Sequence, residues 1–179
     1  MLISHTLTVE EETMKVNNIK CSLQSSKSIF DGELQQNKKY KTCIGNAILI
    51  VYGHSPLFIN MTGLKSMEEI ETTRKYIEFV YEVKCKDLRV DNIFYSFKGC
   101  QNIDINALYY YVRENFKEKF VTDFNVEIFP GLYMKSRIKG LPTLILFRTG
   151  SFTIIACKSI DQVKEYCAFV NDLFYHFSK

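Results

Sequence analysis

The chain has 179 residues, of which 46% are hydrophobic and 24% charged, so it can bury a core and lacks the composition of a disordered protein. Its 23 basic and 20 acidic residues give a net charge of +3, so a basic surface that binds nucleic acid must be local. No apolar run approaches the roughly 18 residues of a membrane span. The first residues also lack the features of a secretory signal, and we expect a soluble intracellular protein with no membrane partner.

The cysteines and histidines point away from metal and redox chemistry. The six cysteines contain no Cys-x-x-Cys pair, which disfavours a zinc site or a disulfide framework and predicts buried free thiols in a reducing compartment. His5, His54 and His176 form no pattern with a nucleophile, and the chain has no Gly-rich phosphate loop and no metal-spaced carboxylates. The sequence therefore predicts neither an enzyme nor a bound metal or cofactor.

The first half of the chain predicts a strand, a weak helix, three strands and a long helix. Residues 1–14 form a polar N-terminal lead-in. The elements that follow are a strand over 15–23, a helix over 25–36 and strands over 39–44, 47–52 and 57–64. Ser66, with Glu69 three residues later, has the pattern of a capping box, which predicts a helix that ends near Val83.

The second half repeats this order. Its predicted elements are a strand over 88–96, a helix over 104–115 with Asp104 as N-cap, strands over 132–138, 143–148 and 151–158, and a helix over 160–177 capped by Ser159. The recurring order predicts an internal duplication with repeats at 15–86 and 87–179. Two such repeats in tandem predict an α+β fold, with one long antiparallel sheet that carries helices on one face and is bare on the other.

Two phenylalanines stand out in the second half. Phe129 precedes the first strand of the three-stranded meander and Phe147 ends the second, so both rings are expected at the same end of the sheet. Phe129-Pro130-Gly131 has the composition of a turn, and a large ring beside a turn is poorly placed for burial. The strands also alternate apolar residues on both faces, which indicates that the bare face binds a partner.

Several short segments then occur together in one order. They are Thr-Gly-Leu-Lys at 62–65, Arg-Lys-Tyr at 74–76, Glu-Ile-Phe-Pro-Gly-Leu at 127–132, Leu-Ile-Leu-Phe at 144–147 with Gly150, and Cys-Lys at 157–158. From about Lys15 to Phe174, the chain resembles the core domain of the TATA-binding protein family. The resemblance implies a saddle of two tandem repeats with helices on the convex face. It also implies that the concave face binds the minor groove of double-stranded DNA, where phenylalanines wedge between base steps and kink the duplex.

The resemblance assigns roles to individual residues. Phe129 and Phe147 match the intercalating pair of the second half, whereas Tyr40 and Tyr52 are the nearest candidates for the first-half pair, with Val51 as the alternative in a shifted register. Asn92 and its first-half counterpart Asn18 match asparagines that hydrogen-bond base edges. The other positions that match groove-facing residues are Phe94, Thr143, Ile145, Thr153, Ile155 and Thr62.

The resemblance also implies contacts beyond the bases. Lys65, Lys135 and Lys158 match basic positions that meet phosphate. Glu127 and Ile128 match the loop that transcription factor IIB grips in the family. The expected protein is therefore an initiation factor that bends AT-rich, TATA-like promoter DNA and recruits factors of the IIB type, other initiation factors and RNA polymerase. It would act in the nucleus, or in a cytoplasmic viral factory if the chain is viral.

Two alternatives remain at this point. Lys20 and Asn60 replace apolar groove residues, which favours an interaction module of the same fold that regulates transcription without bending DNA. An accessory domain of a nuclease or glycosylase would need a second catalytic domain, for which the chain has no room. A bare apolar sheet face also predicts self-association when DNA is absent.

Overall fold

The computed structural model of the chain describes residues 14–26, 39–52, 57–99 and 101–178. The predicted lead-in, the turn after Tyr52 and all but the first two residues of the predicted weak helix lie outside these ranges. The described residues contain nine strands and three helices, so the predicted α+β class is confirmed. None of these helices is long and apolar enough to cross a membrane.

The described residues divide into two compact units, the first of which is Val16–Ile93. The elements of the first unit are β1 (Met14–Ser25), β2 (Lys39–Ile44), β3 (Ala47–Tyr52), β4 (Leu57–Leu64), α1 (Met67–Val80) and most of β5 (Cys85–Phe97). Strands β2, β3, β4 and β1 pair antiparallel in that order, and β5 follows β1.

The second unit comprises residues 94–178 together with Met14 and Lys15. Its elements are the end of β5, α2 (Ile105–Asn115), β6 (Phe120–Asn125), β7 (Phe129–Ser136), β8 (Thr143–Phe147), β9 (Phe152–Cys157) and α3 (Ile160–Phe177). The strand order is β5-β9-β8-β7-β6, with antiparallel pairing from β9 to β6. The two units meet in sequence within β5, whereas the repeats were predicted to divide at residue 86.

In each unit, one face of the sheet is buried beneath helices. Because successive side chains along a strand point to opposite faces, every second strand residue contributes to this buried face. In the first unit, this face and the inner side of α1 contribute the fully buried residues Leu49, Ile59, Met61, Ile70 and Ile77. In the second unit, the corresponding residues are Leu132, Met134, Leu144, Ile154, Leu108, Val163 and Val170. Most of the strand residues that alternate with them are half-buried or exposed, and this second face is what we call the open face of each unit.

The predicted helix caps are confirmed. The Ser66 hydroxyl accepts a hydrogen bond from the Glu69 N–H at 3.0 Å, and the Glu69 carboxylate accepts one from the Lys65 N–H at 2.6 Å. Ser159 accepts from the Gln162 N–H at 3.3 Å. The two long helices therefore begin with the same arrangement, and Asp104 caps α2 in the predicted way by accepting from the Ala107 N–H.

The second unit has one strand that was not predicted from the sequence. Strand β6 precedes β7, so the order after α2 is four strands rather than three. Asp123 and Asn125 obscure β6 because both residue types are rare in strands, although an edge strand tolerates them. Strand β7 also begins at Phe129 itself, so Phe129 and Pro130, which were predicted to lie in a turn before the strand, are part of the strand.

The thiols of the described residues are free. Cys21, Cys157 and Cys167 are buried, which agrees with the prediction for them, whereas Cys43 is exposed and Cys85 is partly exposed. Burial raises the pKa of Cys21 and of Cys157 to about 12. Across the described residues, no group of three histidine, cysteine, aspartate or glutamate side chains is placed to hold a metal ion.

Candidate nucleic-acid interface

The open face of the second unit is built from alternate residues of β7, β8 and β9. Tyr133 lies opposite Ile145, and Ile145 lies opposite Thr153. The register places the next row in the same way, as Lys135, Thr143 and Ile155. Lys135 and Tyr133 are exposed and the β8 and β9 residues are half-buried, so the face combines an apolar centre with a basic margin.

Phe129 and Phe147 lie at one end of this face. Their ring centroids are 5.9 Å apart, and their planes meet at 65°, an edge-to-face contact. Phe129 is 43% exposed. The expectation that both rings lie at the same end of the sheet is confirmed.

The absence of a side chain at Gly131 leaves room for both rings. Gly131 lies opposite Phe147 in the register. A Cβ atom on Gly131 would come within 2.6 Å of the Phe129 ring and 3.0 Å of the Phe147 ring. No role for Gly131 was predicted from the sequence, although the Phe-Pro-Gly segment held the signal.

The remaining predicted residues of this unit are Phe94 and Lys158. Phe94 is half-buried on β5, between the buried side chains Ile93 and Tyr95, so alternation places it on the opposite face of the strand from both. Lys158 is exposed at the start of α3, where its N–H donates to Gln162 Oε1 at 2.8 Å.

The open face of the first unit has a corresponding row of ring and amide. Tyr52 ends β3 and lies opposite Phe58, which is 41% exposed. The Tyr52 hydroxyl accepts a hydrogen bond from Asn60 Nδ2 at 3.1 Å, and Lys39 Nζ lies 5.5 Å from the centre of the Tyr52 ring. Tyr52 is thus held to the sheet by two neighbours.

Tyr40 does not share this face. It pairs with Val51, which is 1% exposed beneath the helix side of the sheet, so Tyr40 lies on that side as well. The open-face positions of β2 are occupied by Lys39 and Lys41, opposite Tyr52 and Ile50. The register therefore does not place Tyr40 beside Tyr52 as a wedge pair, and the burial of Val51 removes the alternative.

Asn18 and Thr62 are brought together by the fold. Asn18 Nδ2 donates to Thr62 Oγ1 at 3.0 Å, and Asn18 Oδ1 accepts from the Gly63 N–H at 2.7 Å. These bonds orient the amide of Asn18 at the edge of a register shift between β1 and β4. Asn92 is half-buried on β5, and Lys65 is exposed beside the start of α1.

The predicted partner-binding residues lie in the turn between β6 and β7. Ile128 is 83% exposed, and its N–H donates to the Asn125 carbonyl at 3.0 Å. The Glu127 N–H donates to Asn125 Oδ1 at 3.1 Å, so Asn125 shapes the turn that presents both residues. Val126, for which the sequence predicted no role, is 66% exposed in the same turn.

Comparison with known proteins identifies the family. A family model described as transcription factor TFIID, or TATA-binding protein, matches residues 87–177. The solved structure of Methanococcus jannaschii TBP matches with a TM-score of 0.67 and 17% identity, and the match covers 91% of this chain and 98% of that chain. No curated protein sequence matches significantly. The structural likeness shows that the chain has the TATA-binding protein fold, and with the family match it establishes that the chain belongs to the TATA-binding protein family of transcription factors.

Proposed function

We propose that this protein is a transcription initiation factor that binds the minor groove of AT-rich, TATA-like promoter DNA and bends it by inserting Phe129 and Phe147. The ring pair over Gly131 is the observation that carries this proposal. Two large rings at the end of an apolar sheet face, one of them 43% exposed, mark a surface that a partner covers. Insertion between base pairs would remove both rings from water.

The free energy gained by burying the two rings can be compared with the free energy that unstacking a base step costs. Unstacking a base step costs a few kcal/mol, whereas full burial of a phenylalanine side chain gains about 1.5–3 kcal/mol. Phe129 is only 43% exposed in the free protein, so it gains less than half of that. The two rings therefore offset only part of one unstacked step, and the apolar centre around Ile145 must supply the rest through contact with the bent groove.

The turn between β6 and β7 supports a second part of the proposal. Val126 and Ile128 expose two apolar side chains next to the carboxylate of Glu127, and hydrogen bonds to Asn125 fix the turn. An initiation factor of the transcription factor IIB type would dock here and bring RNA polymerase to the promoter. The protein would act in the nucleus, or in a cytoplasmic viral factory if it is viral.

The proposal is tested with an AT-rich duplex labelled at both ends for energy transfer. Phe129→Ala combined with Phe147→Ala should abolish most of the bend, with a smaller effect on the free energy of unfolding. Phe79→Ala is the matched control, because Phe79 is 85% exposed on α1 rather than on the open face. A double variant that bends DNA like the wild type would contradict the wedge.

A second candidate function is an interaction module that holds protein partners without bending DNA. The hydrogen bond between Asn60 and Tyr52 favours it, because this bond keeps the first-unit ring on the protein. Wild-type protein that binds AT-rich DNA without a bend, or that does not bind at low salt, would support this candidate. The same open face would then mediate self-association, which sedimentation of the free protein would detect.

A further inference from the structure

The open faces of the two units have equivalent rows of residues. Thr62 and Ile155 each precede the capping serine of a long helix by four positions. Thr62 pairs with Ile48, and Ile155 pairs with Thr143, so these residues start equivalent rows. Two rows further on, Tyr52 of the first unit takes the place of Phe147.

Three positions of the open face carry a lysine in the first unit but not in the second. Lys39 lies opposite Tyr52 as Gly131 lies opposite Phe147, and Lys41 lies opposite Ile50 as Tyr133 lies opposite Ile145. Lys20 follows Asn18 by two residues on β1, as Phe94 follows Asn92 on β5. At each place, the first unit has a cation where the second has an aromatic ring or no side chain.

These three lysines give the open face of the first unit a positive charge that nothing on the same strands neutralises. Strands β1, β2, β3 and β4 contain no aspartate or glutamate. All three side chains are exposed, and within the described parts of the chain none of them forms an ion pair. The described acidic residues of this unit lie on α1, on β5 or between them.

We propose that Lys20, Lys39 and Lys41 form a phosphate-binding surface that takes the place of a wedge in the first unit. This inference rests on the DNA binding proposed above. Lys39 and Lys41 lie on β2, which is an edge strand, whereas Lys20 lies on β1 between β4 and β5. The long, flexible side chain of an exposed lysine on a sheet that lies in a groove can reach a backbone phosphate, and each such contact releases a counterion. Tyr52 stays on the sheet, held by Asn60 and covered by Lys39. The first unit thus supplies salt-dependent affinity, whereas the second unit supplies the kink.

The test uses the full chain and an AT-rich duplex labelled for energy transfer, with affinity and bend measured from about 50 to about 200 mM salt. Lys20→Gln, Lys39→Gln and Lys41→Gln are combined in one variant. Three exposed lysines outside the strands are replaced in the control, which has the same net charge: Lys75→Gln, Lys84→Gln and Lys164→Gln. A third variant with arginine at Lys20, Lys39 and Lys41 restores the charge.

The slope of log affinity against log salt should fall by about 0.9 for each lysine removed, or by roughly 2.7 for the triple variant. The affinity advantage of the wild type over this variant should then shrink roughly 40-fold across the salt range. The arginine variant should keep the wild-type slope, and the DNA bend at saturation should be unchanged in all three variants. Thermal unfolding checks that each variant is folded.

Two results would overturn the inference, and they are distinguishable from each other. If the slope of log affinity against log salt falls equally in the glutamine variant and in the control, the effect is one of net charge. The surface is then not a phosphate site, although the protein still binds DNA. If wild-type protein does not bind the duplex even at low salt, the proposed function itself fails, and the inference fails with it.

Discussion

Gly63 and Ala156 occupy the same place in the two units, and both have a positive φ, of 87° and 69° respectively. Each lies three residues before the capping serine of a long helix. A Cβ atom on Gly63 would come within 2.5 Å of the Asn46 carbonyl oxygen, whereas the second unit accommodates one at Ala156. The left-handed turn from the last strand into the helix is therefore retained in both units, but only one of them uses glycine for it.

Opposite effects on stability should follow from exchanging these residues. A residue with a Cβ atom pays about 1–2 kcal/mol for a left-handed backbone conformation, and Ala156→Gly removes this cost. The greater freedom of glycine in the unfolded chain offsets part of it, so we expect the free energy of unfolding to rise by up to about 1 kcal/mol. Gly63→Ala adds the same penalty and a backbone clash, and should cost about 2 kcal/mol or more. Urea unfolding of the two variants measures both. A loss of stability in both would show that the two turns are not equivalent.

Gly131 gives a prediction about the wedge that leaves both rings in place. Gly131→Ala would put a Cβ atom 2.6 Å from the Phe129 ring and 2.8 Å from Ile145 Cγ2, so the rings must shift. The bend measured by energy transfer should decrease. Affinity for AT-rich DNA should fall by about tenfold for each 1.4 kcal/mol of binding free energy that the displaced rings no longer contribute. Overpacking should also cost about 1–3 kcal/mol of stability.

The control for this prediction is Gly140→Ala in the turn between β7 and β8. Gly140 has a φ of 90°, and a Cβ atom added to it would meet no other atom within 4 Å, so alanine there strains the backbone without touching the rings. It should lower stability and leave the bend intact. If Gly131→Ala bends DNA as the wild type does, the spacing of the rings does not matter and the wedge assignment loses its main support.

Short-range signals explain what could be predicted from the sequence. Strands β2, β3 and β4 and helix α3 have the predicted bounds, because turns at Gly45 and a serine cap at Ser159 lie directly beside them in the chain. The place of Phe129 and Phe147 at one end of the sheet also followed from neighbouring turns. These features depend on residues a few positions apart.

The features that were missed depend on pairing between distant residues. Tyr40 and Tyr52 are both aromatic residues on strands, but β2 and β3 pair with Tyr40 opposite Val51, and a shift of one residue turns a side chain to the other face. The hydrogen bonds of Asn18 to Thr62 and Gly63 likewise exist only because β1 pairs with β4. Composition along one strand cannot reveal either arrangement.

The restraint on Tyr52 can be measured by a double-mutant cycle. Tyr52→Phe removes the hydroxyl that accepts from Asn60 Nδ2, and Asn60→Ala removes the donor. The hydrogen bond is partly buried, so the coupling free energy in urea unfolding should be about 0.5–1.5 kcal/mol. A coupling near zero would mean that Tyr52 is not held to the sheet, and the first unit would then have a ring that is free to insert.

The buried thiols predict a loss of stability in mild alkali. Burial, and to a smaller extent the charge of Asp91, raises the pKa of Cys21 from 9.0 to about 12, and burial does the same for Cys157. Above about pH 9 the unfolded chain loses these protons while the folded chain keeps them, so the folded state binds more protons and stability falls as pH rises. The free energy of unfolding should decrease by up to about 1.4 kcal/mol per pH unit for each thiol.

Urea unfolding of wild-type protein and Cys21→Ala between about pH 8 and about pH 10 tests this. Cys21→Ala should remove the share of the pH dependence that belongs to one thiol. Ile154→Val is the matched control, because it shortens a fully buried side chain that has no titratable group, and so it should lower stability equally at every pH. If Cys21→Ala keeps the wild-type pH dependence and only shifts the curve, the Cys21 thiol ionises as readily in the folded state as in the unfolded chain, and the raised pKa is wrong.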